Sequence, residues 1–212
     1  HNTLVSNTVS SLTALGHGAL FSNTSGGSNV AVGRHSLLSN TTGASNTAVG
    51  NHTLDANTTG AANTGVGHNA LGANTTGNHN VAVGSSSLTR NTSGSDNVAM
   101  GYGALDANLV GTKNTGLGRL SLLLNTASNN TAVGYASLQN NTTGSSNVAI
   151  GKNAGTSLTT AVNLCAVGTN AADSITTGVS NTAIGTGALS AATTHFDNVA
   201  VGTGAMGSAT AS

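Results

Sequence analysis

The 212-residue chain carries five basic and five acidic side chains, no proline and no glutamate, and only 2% aromatics. Globular domains normally spend about a quarter of their residues on charge, so a core of large side chains under a charged surface is excluded. The zero formal charge also argues against a partner recruited by phosphate neutralisation. Disorder is disfavoured too, because disordered segments combine high charge with proline.

From the first glycine onward the chain repeats one phrase. It reads NVAVG at 29–33, NTAVG at 46–50, NTGVG at 63–67 and NVAVG at 80–84, and so on to NVAVG at 198–202. Twelve glycines, Gly16 through Gly202, close these phrases; ten of the eleven steps are 17 residues and one, Gly118 to Gly134, is 16. A fixed period of this size predicts a solenoid, one coil per repeat. Residues 1–212 read as a single array of about twelve coils, with an altered turn edge from about residue 152.

Within a coil the residue before the glycine is aliphatic in all copies (Leu15, Val32, Val49, through Val201), and the one three before it is Val or Thr except at Cys165. Between them lies Ala or Gly. Alternation of this kind predicts a short strand, with both faces apolar and both expected to be buried. Four residues past the glycine a Leu column follows (Leu20, Leu37, Leu54, Leu71) and predicts a second short strand. NTSG and NTTG phrases at 23–26, 40–43 and 91–94 predict the closing turn. Two asparagine columns, one before the strand (Asn29, Asn46, Asn63) and one opening the turn (Asn23, Asn40, Asn57), predict amide ladders along the solenoid axis. Several turn asparagines, Asn40-Thr41-Thr42 among them, also match the N-glycosylation pattern. The missing residue of the short coil falls in its turn, NTASN at 125–129, so both flanking strands are expected to persist.

Few residues suggest chemistry. The five cations (Arg34, Arg90, Lys113, Arg119, Lys152) are scattered along the sequence and predict no basic patch. His35 and His52 share a column and are expected to stack roughly 4.8 Å apart; His17 and His68 lie in the adjacent column. Without a fixed carboxylate or a third ligand these imidazoles predict no metal site. The five aspartates (Asp55, Asp96, Asp106, Asp173, Asp197) form no convincing acid pair, and Cys165 reads as a small buried hydrophobe. The expectation is no catalytic, cofactor-binding or metal-binding residue and no cofactor, hence no enzyme. No apolar run approaches transmembrane length, and residues 1–20 do not look like a signal peptide. The chain starts at His1 in mid-phrase and ends at Ser212 without a polar cap, which suggests part of something longer. In the last coils Leu158, Ile175, Ala192 and Ala209 replace the turn asparagine, with Val162, Val179 and Phe196 four residues beyond three of them. That predicts an apolar turn edge covered by another chain or domain.

With NVAVG, NTAVG and NVAIG followed by an Ala/Ser-Leu step, residues 12–207 resemble the head repeats of trimeric autotransporter adhesins and the solenoid repeats of bacteriophage and viral tail fibres. The resemblance implies a left-handed parallel β-roll in a side-by-side homotrimer, although adhesin heads use shorter coils and the longer turn leans toward the fibre group. The function it suggests is an extracellular or virion-associated rod for attachment or display, engaging a host-surface receptor or glycan, without nucleic acid or membrane insertion. Threonine pairs in the turns (Thr41-Thr42, Thr58-Thr59) keep open an ice-binding solenoid, and uncapped ends keep open a self-stacking extracellular filament.

Overall fold

The computed structural model describes residues 11–191 and 193–207. It comprises two compact units, His1–Val110 and Gly111–Ser212. The first contains β1 (Thr13–Leu15), β2 (Val30–Val32), β3 (Thr47–Val49), β4 (Thr64–Val66), β5 (Val81–Val83) and β6 (Val98–Met100). The second contains β7 (Thr115–Leu117), β8 (Thr131–Val133), β9 (Val148–Ile150), β10 (Cys165–Val167), β11 (Thr182–Ile184) and β12 (Val199–Val201). Inside each unit every strand pairs in parallel with its chain neighbour, column on column, as in Ala31↔Ala48 and Ala132↔Ala149. Each unit is an all-β solenoid, and no helix occurs among the described residues. The repeat dictates this: identical residues 17 apart can satisfy their backbone groups only by stacking.

The strand faces depart from expectation. The alanine face points inward, with Ala31, Ala48, Ala82, Ala132 and Ala183 fully buried. The columns on either side of it, aliphatic before the glycine and Val or Thr at the strand start except for Cys165, point out: Leu15 is 67% exposed and Met100 44%. A three-residue strand in a thin coil can turn only one face inward, and the interior is narrow enough to select alanine. Cys165, expected to be buried, lies in an outward column and is half-buried, because its place in the strand faces away from the interior.

The second expected strand is absent among the described residues. Residues 17–22 and their equivalents form overlapping turns, closed in the first coil by Ala19 N–H to Gly16 O (3.3 Å), Phe21 N–H to Gly18 O (3.3 Å) and Asn23 N–H to Leu20 O (3.2 Å). The Leu column sits at left-handed φ, from 49° at Leu138 to 54° at Leu71. Coil-to-coil bonding survives, since Leu20 N–H donates to Ser36 O (3.1 Å) and His35 N–H to His17 O (2.8 Å). The adjacent pair Ala19 and Leu20 is buried together, which a strand forbids because successive side chains face opposite ways. Left-handed φ costs about 1–2 kcal/mol per residue, and burying the Leu side chain contributes about 1.5–3 kcal/mol; burial wins.

Both amide ladders form. Asn40 Nδ2 donates to Asn23 Oδ1 (2.7 Å) and to Gly43 O (2.9 Å), and Asn57 and Asn74 repeat the pattern. In the other column Asn46 N–H donates to Asn29 Oδ1 (2.8 Å) and Asn46 Nδ2 to Gly60 O (2.8 Å). All these amides are fully buried, which is tolerable only because each is bonded. The short coil loses its turn glycine as expected, and the carbonyl of Ala127 takes over as acceptor from Asn125 Nδ2 and Asn114 Nδ2, both at 2.8 Å. Its strands β7 and β8 remain paired.

Beyond Asn141 the interior changes character. Leu158 and Ile175 occupy the ladder column and are fully buried inside their own coils, so they are core residues and do not form an exposed edge. In the same stretch the Leu column gives way to Gly155, and Leu164 replaces a strand-side asparagine. A Cβ on Gly155 would lie 3.0 Å from Leu138 Cδ2 and 3.3 Å from Leu164 Cδ2. The coil therefore keeps its apolar filling by relocating it. Of the outer residues, Val162 and Val179 are half-buried and pair in parallel, and Phe196 is 60% exposed. Ala192 and Ala209 lie outside the described residues.

Candidate interaction surfaces

With the interior filled by Ala, Leu and Asn, function must reside in the outward columns. The broadest is the aliphatic strip flanking the inward alanines. Leu15, Val49, Val66 and Met100 expose it in the first unit, and Val148, Ile150, Ile184, Val199 and Val201 in the second.

Next to it, the residue after each coil glycine is outward and polar. Arg34, Tyr102, Arg119, Tyr135 and Lys152 are all exposed there. In the second unit Arg119, Tyr135 and Lys152, far apart in the sequence, are thus gathered into one column, because positions 17 or 16 apart coincide on the surface. Arg119 lies over Tyr135, with its guanidinium carbon 5.7 Å from the ring centroid and Nη1 3.5 Å from the phenol oxygen. The other cations stand elsewhere, with Arg90 3.6 Å from Asp106.

The histidines stack as expected: His35 and His52 have ring centroids 4.9 Å apart, edge to face, and His17 and His35 are 5.4 Å apart. Sequence reasoning missed the carboxylate beside them, since Asp55 Oδ2 lies 2.9 Å from His52 Nδ1 across a turn of the same coil. Three-residue spacing within one turn region was the available signal. Burial, with the Arg34 guanidinium and the imidazoles of His52 and His17 as smaller contributions, holds His35 below the usual histidine range. Among the described residues no group of three or more His, Cys, Asp or Glu is placed to hold a metal ion.

The threonine pairs divide. Thr41 and Thr58 donate their hydroxyls to the next coil's backbone, to Thr58 O (3.0 Å) and Thr75 O (3.1 Å), whereas Thr42 and Thr59 face solvent. The sequon asparagines Asn40, Asn57, Asn74 and Asn141 are fully buried. Among the described residues no helix is long and apolar enough to cross a membrane. Comparison with known protein families, with curated proteins and with solved structures finds no match to this chain.

Proposed function

We propose that this chain is a structural and adhesive fibre segment, extracellular or virion-associated and non-catalytic, that assembles side by side as a homotrimer and serves for attachment or display. The observation that supports it is the outward aliphatic column before the glycine, which recurs at every strand and leaves Met100 44% and Ile150 41% exposed even between stacked coils. Apolar patches of that extent on a soluble surface mark interaction sites. The same repeat that builds the coil builds the strip, so a second copy in register carries a complementary one. Association in threes follows from the resemblance to trimeric adhesin and tail-fibre repeats.

The ice-binding alternative is less well supported. One threonine of each pair spends its hydroxyl on a backbone carbonyl, which leaves a single exposed file where a flat array needs at least two. Sedimentation velocity with cryo-electron microscopy of the purified chain tests the proposal: discrete trimeric rods are expected. A folded monomer in solution overturns the oligomeric rod, and open-ended fibres would favour the filament alternative.

A further inference from the structure

Three of the chain's five cations and both its tyrosines occupy the column that follows the coil glycine, and none of its five aspartates does. Chance would put less than one cation there, since the column holds one residue per coil. In the unit Gly111–Ser212, three consecutive coils place Arg119, Tyr135 and Lys152 in it, all exposed. Their main chains are tied coil to coil, by Ala136 N–H to Arg119 O (3.0 Å), Asn153 N–H to Tyr135 O (2.9 Å) and Asn170 N–H to Lys152 O (2.9 Å). The side chains therefore leave a rigid support at the coil spacing, which puts the backbones that carry the two cations roughly 9–10 Å apart with that of Tyr135 between them. The Arg119 guanidinium leans over the edge of the Tyr135 ring, with Nη1 3.5 Å from its phenol oxygen. In the next column Asn153 and Asn170 stand amide to amide at 3.3 Å, half-buried.

We propose that this row binds a linear acidic polysaccharide. The carboxylates of alternate sugars meet Arg119 and Lys152, the intervening sugar lies on the Tyr135 ring, and Asn153 and Asn170 serve the hydroxyls along its edge. Arg suits a carboxylate because its planar fork donates two parallel hydrogen bonds. A tyrosine offers an apolar face and a polar tip at little entropic cost. Nucleic acid fits less well: a single strand carries one charge per roughly 3.4 Å, and a single file with two cations two coils apart on a neutral chain does not match that density. The inference deepens the attachment reading above and rests on it.

The test uses the full chain against immobilised polygalacturonate, with neutral dextran and single-stranded DNA as comparison probes. Binding to polygalacturonate that weakens with salt is expected. The double variant Arg119→Gln/Lys152→Gln should bind roughly tenfold more weakly, in line with the loss of charge-assisted hydrogen bonds at an exposed site. Tyr135→Ala should also weaken binding, although it changes no charge. Arg90→Gln/Lys113→Gln, which removes the same charge outside the column, should bind as the parent does. Equal loss in that control pair, equal binding to dextran, tighter binding to DNA, or no binding to polygalacturonate each overturns the proposal. A protein that forms trimeric rods yet fails to bind loses this inference alone, whereas a monomer that binds loses the rod.

Discussion

At the residue scale, the fold depends on buried amides that are worth something only in company. Asn74 donates to Asn57 Oδ1 (2.8 Å) and accepts from Asn91 Nδ2 (2.8 Å). Asn74→Ala leaves Asn57 Oδ1 buried and unbonded, and should cost about 2–4 kcal/mol by thermal or denaturant unfolding. Asn141 differs because Leu158 follows it in the column and its own Oδ1 is buried without a partner. Asn141→Ala removes that orphan, while Asn125 Oδ1 and Gly144 O keep bonds from Asn130 Nδ2 (3.1 and 2.9 Å). It should cost about 1 kcal/mol or less, and an equal cost for the two variants would refute this account of the ladder. His35 supplies a pH-dependent contribution. Its folded-state pKa is lowered from 6.5, so the folded chain favours the neutral ring; the contribution is present above 6.5 and is lost as the pH falls through that value toward the lower folded one. Asp173, raised above 3.8 mainly by burial, has the opposite sense: the folded chain binds its proton more readily, so stability recovers as the pH falls through the raised value. Melting temperatures at pH 8 and pH 6 isolate the histidine. They should fall toward pH 6, and by less in His35→Gln; an unchanged difference would show that His35 contributes nothing.

At the element scale, turns and strands tolerate change differently. The 16-residue coil shows that one turn residue can be dispensed with when another carbonyl, that of Ala127, accepts the amides. Inserting a glycine between Ala127 and Ser128 restores the 17-residue turn and should alter stability by less than about 1 kcal/mol, since surface turns absorb insertions cheaply. Deleting Ala132 from β8 shifts its register, turns an outward residue into the alanine-lined interior and should abolish cooperative unfolding of that unit. Circular dichroism melts of the two variants decide the matter; similar damage from both would mean that the turn is as constrained as the strand. The column glycines mark the strict limit. Gly50 has φ 141°, and a Cβ there would lie 2.5 Å from the carbonyl oxygen of Gly67, so the backbone of the next coil fills the space a side chain would need.

At the scale of the whole molecule, the inward and outward faces of one strand give separate tests of folding and assembly. Ala82 is fully buried and Val83, beside it, is half-buried on the outer strip. Ala82→Asp puts an unpaired charge in the interior and should destroy the strand signal in circular dichroism. Val83→Asp, placed on the strip that the proposed trimer covers, should leave that signal intact and shift sedimentation from trimer to monomer. A Val83→Asp protein that stays trimeric would place the interface elsewhere.

The sequence by itself determined the architecture, because a 17-residue identity recurring from Gly16 to Gly202 has no other way to bond its backbone and to bury its Ala, Leu and Asn columns. It also determined the strand position, the amide ladders and the stacking of His35 on His52, all of which follow from column identity alone. Tertiary structure decided which way each column points. Alternation along Val30-Ala31-Val32 is symmetric with respect to inside and outside, and only the width of the closed coil makes alanine the inner residue. The Leu column resembles a strand in its residue types, yet it is held at left-handed φ because two adjacent side chains must enter the same narrow interior. The Arg119–Tyr135–Lys152 file was legible in principle, since each of these residues follows a coil glycine; the Asp55 carboxylate is three residues from His52, but only the path of the corner sets the 2.9 Å between them.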